Sequence, residues 1–206
     1  RVGFHRAPYA RFVPAGQALQ REMRQCHRLF DTDAAMAEIA PRALPRQTLA
    51  DLLWAAAGVN RPRLGGRTAP SAMNAQEVRL YVALPEGLYL YDPAAHWLAR
   101  AQASDVRRVS GYQDFVDRAP LDLIYVADHA RMALVPAGRR EAYAFAAAGA
   151  MAQNVYLFCA SAGLATVIRG WFDARALTAA MGLGPDQQVL LAQTVGRPAR
   201  RGAGTT

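Results

Sequence analysis

Residues 65–92 read GGRTAPSAMNAQEVRLYVALPEGLYLYD, and the reading of the fold starts from the second half of that run. EVRLYVAL (77–84) alternates and is rich in β-formers. PEG turns the chain and LYLYD (88–92) returns, so the pair predicts a β-hairpin. The preceding GGRTAPSAMNAQ is then a loop of two glycines, Arg67, Pro70 and small polar residues. No metal-ligand set or nucleophile–base pair accompanies it. Upstream, TLADLLWAAAGVN (48–60) predicts a helix with Leu49, Leu52, Leu53 and Ala56 on its apolar face. Thr48 and Asp51 have the spacing of a capping box, and Gly58 marks the end. Further back, residues 16–30 suggest a helix with Leu19, Met23 and Cys26 on one stripe, behind an irregular arm over 1–15.

Downstream, LDLIYVAD (121–128) predicts a strand. Residues 139–163 predict a long helix, apolar nearly all round and hence central and buried, stopped by Gly163. A strand (164–170), a helix capped by Asp173 (173–182) and a final strand (187–198) complete the order, before a flexible tail over 199–206. This order predicts an α+β fold in one domain over 1–206, with a mixed or antiparallel central sheet flanked by helices.

Composition narrows the function. The 206 residues are 52% hydrophobic, enough for a full core, and no apolar run is long enough to span a membrane. The net charge is +8 and every basic residue is Arg. The arginines are scattered without a stripe or interleaved aromatics, so coding bias explains them as well as an anionic partner does, and no nucleic-acid partner is expected. Cys26 and Cys159 have unrelated surroundings, and Cys159 sits in an apolar helical pattern. The four histidines are far apart and no CxxC or HExxH occurs, so no metal is expected. Neither GxGxxG after a first strand nor GxxxxGK[ST] is present. The expected location is cytoplasmic, with a cleaved export signal upstream of Arg1 left open.

The segments LLWAAAGVNRP, RTAPSAMNAQEVRLYV, GLYLYD, APLDLIYVAD, GAMAQNVYLFCASAGLATVIRGWFD and VLLAQTVGRP, taken in order over 48–198, resemble the nitroreductase family of flavoproteins. The resemblance is nearest to its SagB-type or ThcOx-like dehydrogenase branch. It implies a nitroreductase-like fold, an obligate homodimer and FMN at the subunit interface. A P-S-x-x-N-x-Q loop of one subunit then reaches a flavin bound mainly by the other. Here that loop carries Pro70, Ser71, Ala72, Asn74 and Gln76, with Arg67 adding charge near a phosphate or the ring's N1. Without the resemblance, the same residues read as a strand-entry loop with Ser71 as a cap. The resemblance also implies that the backbone of Val167, Ile168, Arg169 and Gly170 lines one face of the flavin near N5, and that Gln153 and Asn154 bond within the interface.

The family's N-terminal R-R-S-x-R-x-F motif is where this sequence departs. RQCHRLFD (24–31) supplies Arg24, Cys26 and Arg28 in the right types, but about ten residues too far from LLWAAAG. At the expected spacing stand Ala34 and Ala37. Either residues 31–41 are an insertion and Arg24, Cys26 and Arg28 hold the phosphate, or that grip is lost and Arg197, Arg200 or Arg201 compensates. The implied activity is hydride transfer from NAD(P)H through flavin N5 to a small organic acceptor, nitroaromatic or quinone-like, in a ping-pong cycle. No catalytic side chain is then required, because the cofactor carries the chemistry. The branch's azoline oxidation relies on a Lys–Tyr pair, and this sequence has no Lys. A flavin-dependent dehydrogenase of another substrate, and a flavin-poor non-enzymatic homologue, stay open as alternatives.

Overall fold

The hairpin is the centre of the molecule. In the computed structural model, which describes residues 2–3 and 39–199, β1 is Val2–Gly3, β2 Ile39–Ala40, β3 Val78–Leu84, β4 Gly87–Asp92, β5 Trp97–Gln102, β6 Leu121–Asp128, β7 Ala165–Arg169 and β8 Gln187–Pro198. The helices are α1 Arg46–Ala57, α2 Ala137–Ala162 and α3 Ala174–Met181. The strands lie in the order β1-β5-β4-β3-β6-β8-β2, with β7 also paired to β8. Every pairing is antiparallel, so of the two sheet types the sequence allows the structure takes the antiparallel one.

Gly87 shows why PEG makes the turn. Its φ is +143°, and a Cβ there would stand 2.5 Å from the Gln102 carbonyl oxygen. Only glycine takes that backbone without strain. β5 extends the hairpin into a three-stranded meander that the sequence reading missed. Leu98 is its one buried residue, so the strand has no alternation to detect.

The sheet is packed on both faces. On one, α1 and α2 cover Val78, Leu80, Val82, Leu123 and Tyr125. On the other, α3 covers Tyr81, Ile124, Val126 and Val189 through Leu177 and Met181. β3 and β6 are therefore central strands with inward residues on both sides. α3 begins as predicted, with the Asp173 side chain accepting from the Ala176 N–H. Gly163, at φ +65°, ends α2 in the left-handed conformation.

Two helix expectations are corrected. α1 starts at Arg46 behind Pro45, so Thr48 lies inside the first turn and caps nothing; Asp51 accepts instead from Gln47 Nε2 at 2.9 Å. Gly58 does end the helix, but in an extended conformation, where a Cβ would press on the Trp54 ring at 2.7 Å. α2 is not buried all round. Ala144, Ala148, Met151, Val155 and Cys159 face the sheet, while Tyr143, Phe145 and Leu157 are exposed. The predicted helix over 16–30 lies outside the described residues. Among the described residues, no helix is long and apolar enough to cross a membrane.

Candidate functional site

The chain leaving α1 closes on itself before it reaches the sheet. The Asn60 and Arg61 N–H groups both donate to the Gly66 carbonyl at 3.1 Å, and Gly66 N–H returns to the Arg61 carbonyl. Arg61 Nη1 also donates to the Arg67 carbonyl at 2.6 Å. From this closed loop the backbone runs through a 3₁₀ turn at Ala72–Asn74 into β3. Met73, Asn74 and Gln76 have φ of 54°, 53° and 49°. Three non-glycine residues in the left-handed region within four positions are costly, at roughly 1–2 kcal/mol per residue. Such strain persists only where surrounding contacts over-determine the backbone, and it gathers at functional sites.

Those contacts are present. Gln76 N–H donates to Ser71 Oγ at 2.6 Å, and Ser71 Oγ–H donates to Glu77 Oε2 at 2.6 Å. Gln76 Nε2 donates to the Gly65 carbonyl at 2.9 Å and to Asn74 Oδ1 at 3.2 Å. The second bond orients the exposed Asn74 amide, leaving its NH₂ free of the loop's own acceptors. Arg131 Nε ties the Ala75 carbonyl from outside.

Between this loop and α2 lies a cavity of about 140 Å³. Arg67, Pro70, Ser71, Asn74 and Glu77 line one side; Ala147 and Met151 of α2 line the other. Arg67 is half-buried. Burial pushes its guanidinium below the usual value, and the neighbouring Arg131 cation adds to this, while Tyr91, Glu77 and Asp92 oppose it. An arginine keeps its charge under such a shift. Its Nε–H is buried without a partner among the described residues. Glu77 is fully buried, and its Oε1 likewise has no partner among them. The cavity thus offers a cation with a free donor, an amide with free donors and small residues that admit a flat ring.

The expected β7 residues are not brought into this cavity. Val167 and Ile168 are half-buried and Gly170 is exposed. Ile168 N–H, expected near a flavin, already donates to Tyr156 Oη at 2.9 Å. The Arg169 guanidinium is turned inward: Nη2 donates to Asp122 Oδ1 at 2.9 Å and to Ser110 Oγ at 3.1 Å, Nη1 donates to Thr194 Oγ1, and the cation lies 5.6 Å from the Phe115 ring centre. Both Nη groups of Arg169 are thus engaged, while its Nε–H is buried and unpartnered among the described residues. Asn154 Nδ2 is buried and unpartnered among the described residues, on the side of α2 away from Cys159. Arg24, Cys26, Arg28 and Arg200 lie outside the described residues. Arg197 is exposed in β8, paired with Ala40.

Sequence reasoning missed Glu77, Arg131 and the α2 wall. Glu77 heads the alternating run EVRLYVAL, and no pattern in the sequence marked it as buried.

Comparisons with known proteins bear on the family and the fold. The nitroreductase family model matches residues 38–197. A protein of Methanocaldococcus jannaschii designated a nitroreductase is 34% identical over 145 residues, covering 66% of this chain and 73% of that protein. A crystal structure from Ralstonia eutropha JMP134, also designated a nitroreductase, is 53% identical with a TM-score of 0.76, over 80% of this chain and 78% of that one. A structure from Desulfovibrio desulfuricans, a nitroreductase-designated protein in complex with FMN, has a TM-score of 0.61 at 22% identity over 93% and 91% of the two chains, and shares the fold. The chain belongs to the nitroreductase family and has its fold, an antiparallel sheet with flanking helices.

Proposed function

We propose that this chain is an FMN-dependent oxidoreductase of the SagB-type or ThcOx-like branch, passing hydride from NAD(P)H to a small organic acceptor. The observation that carries the reading is the cavity beneath the left-handed loop, with the unpartnered Arg67 Nε–H on its wall. The residues present fit a flavin. Gly66, Ala69 and Ala147 leave room for a flat ring, and the donors of Arg67 and Asn74 suit the carbonyl-rich edge of a pyrimidine. When bound, FMN supplies the two-electron chemistry between the nicotinamide and the acceptor. The chain's own groups hold and shield it: Arg67 places positive charge, Asn74 donates hydrogen bonds, and Met151 excludes water from the inner wall. The 22%-identical relative in complex with FMN supports the cofactor through the shared fold.

At about 140 Å³ the cavity of one chain is smaller than an ordinary small-molecule site, roughly 300–1,000 Å³. A homodimer supplies the remainder. In it, the exposed Tyr143, Phe145 and Leu157 of α2 meet a second copy, and the partner's β7 backbone closes the flavin's other face. The phosphate falls to Arg24, Cys26 and Arg28, or to Arg200.

Protein purified with FMN should be yellow and should release FMN, not FAD, on acid treatment. A colourless protein that takes up no FMN in titration would overturn the reading. Leu157→Asp should convert the dimer to a monomer in sedimentation and weaken FMN retention with it. A variant that stays dimeric would remove α2 from the interface.

A further inference from the structure

Glu77 is an acid whose hydrogen bonding is incomplete among the described residues. It is fully buried, with a single side-chain donor, the Ser71 hydroxyl, and an oxygen that no described residue meets. Through Ser71 it reaches Gln76 N–H, and Gln76 is one of the three left-handed residues. The relay runs carboxylate, hydroxyl, amide. A carboxylate can only accept, so it compels the Ser71 hydroxyl to point its hydrogen at Glu77 and its lone pairs at Gln76. The far end of Gln76 then fixes the Asn74 amide. The Glu77 main chain is fixed as well, its carbonyl accepting from Asp128 N–H at the start of the β3–β6 ladder. The left-handed loop is in this way anchored to a central strand.

We propose that Glu77 is a positioning residue for the flavin cleft, holding residues 71–76 in their left-handed course through the Ser71 hydroxyl so that Asn74 faces the cavity. The proposal rests on the FMN reading, and its test separates the two. In the flavin-free protein, amide hydrogen exchange at Gln76 reports the loop directly. In the same variants, an FMN titration reports the cleft.

Glu77→Ala leaves the Ser71 hydroxyl undirected. Exchange at Gln76 should accelerate, and FMN should bind about tenfold more weakly, the equivalent of one hydrogen bond. Glu77→Gln keeps an acceptor oxygen for Ser71 and should restore both readouts to within about threefold of wild type. Ser71→Ala should reproduce the Glu77→Ala exchange, and Ser71→Ala/Glu77→Gln should be no worse than Ser71→Ala alone. That pair decides the matter if Glu77→Ala does not fold. Wild-type exchange at Gln76 in Glu77→Ala or in Ser71→Ala would overturn the proposal. Faster exchange with unchanged FMN affinity, or failure of Glu77→Gln to rescue, would overturn it equally. If wild type binds no FMN, the functional reading fails. The exchange arm still stands or falls on the Gln76 amide.

Discussion

Two acids among the described residues are completely buried, and they are treated differently. Asp122, the second residue of β6, receives Ser110 Oγ on Oδ2, and Arg169 Nη2 and Thr194 Oγ1 on Oδ1. Its charge is balanced by a guanidinium at 2.9 Å. Glu77, one residue before β3, has one donor on one oxygen and none on the other among the described residues. A network that meets both oxygens of its acid ties strands together, and here it locks the end of β7 to β6 and β8, with Arg169 Nε–H left unpartnered among the described residues. An incomplete one beside a cavity keeps polar capacity in reserve, and that capacity is what a ligand site needs. The two acids differ in that both oxygens of Asp122 are met and, among the described residues, only one of Glu77 is.

The comparison breaks most visibly at Asp122. Asp122→Ala strands the Arg169 cation in the interior and should cost about 3–5 kcal/mol, read from urea denaturation. A loss below about 1 kcal/mol, the range of exposed pairs, would put Asp122 and Glu77 in one class.

A third kind of buried polar group sharpens the contrast, because it carries no charge at all. Burial pushes the Cys159 thiol up to about 12 and raises the Tyr125 and Tyr156 phenols. In the unfolded chain these groups ionise near 8.5 and about 10. Their folded forms stay neutral, so the stability they support is intact below the unfolded values and is lost as pH rises through the folded ones. Urea midpoints should fall from about pH 8.5 upward. Cys159→Ala should make that fall shallower, and an unchanged slope would show that the thiol does not participate.

Smaller effects belong to the loop. Ser71→Ala leaves the Glu77 carboxylate without its donor and should cost about 1–3 kcal/mol. Glu77→Gln removes a buried charge and keeps its volume, so stability should stay within about 1 kcal/mol of wild type in either direction. A loss as large as that of Asp122→Ala would mean that Glu77 is as fully paired as Asp122.

Much of the fold could be read from the residues because its strands punctuate themselves. β6 and β8 fall on the predicted residues 121–128 and 187–198, bounded by Pro120 and by the Pro198 that closes the final run. PEG and Gly163 mark their turns through backbone conformations open to few residues. β5, between β4 and the two-residue β1, was invisible because a strand with one buried residue has no pattern. The exposed side of α2 was hidden for the opposite reason: an alanine-rich helix has little contrast between faces, and its apolar surface includes what the single chain leaves uncovered. At the candidate site, only the resemblance singled out Pro70, Ser71 and Asn74. No residue-type rule could have found Ala147 and Met151, because their part is played by shape and position. Arg169 was legible as a strand end, but the direction of its side chain depends on Asp122, 47 residues away in sequence.

β8 has a consequence for how the chain is made. It is the shared partner of β6, along residues 187–195, and of β7, along residues 192–196. During synthesis β3 can pair with β6 as soon as residue 128 is free, but the opposite edge of β6, apolar along most of its length, waits until some sixty further residues have emerged. Over that interval the nascent chain displays an unpaired, hydrophobic β-edge of the kind that invites aggregation. α2 is translated within it and can shield the face of β6 but not its edge. A ribosome-bound chain halted before Gln187 should therefore bind a chaperone that one halted after Pro198 releases.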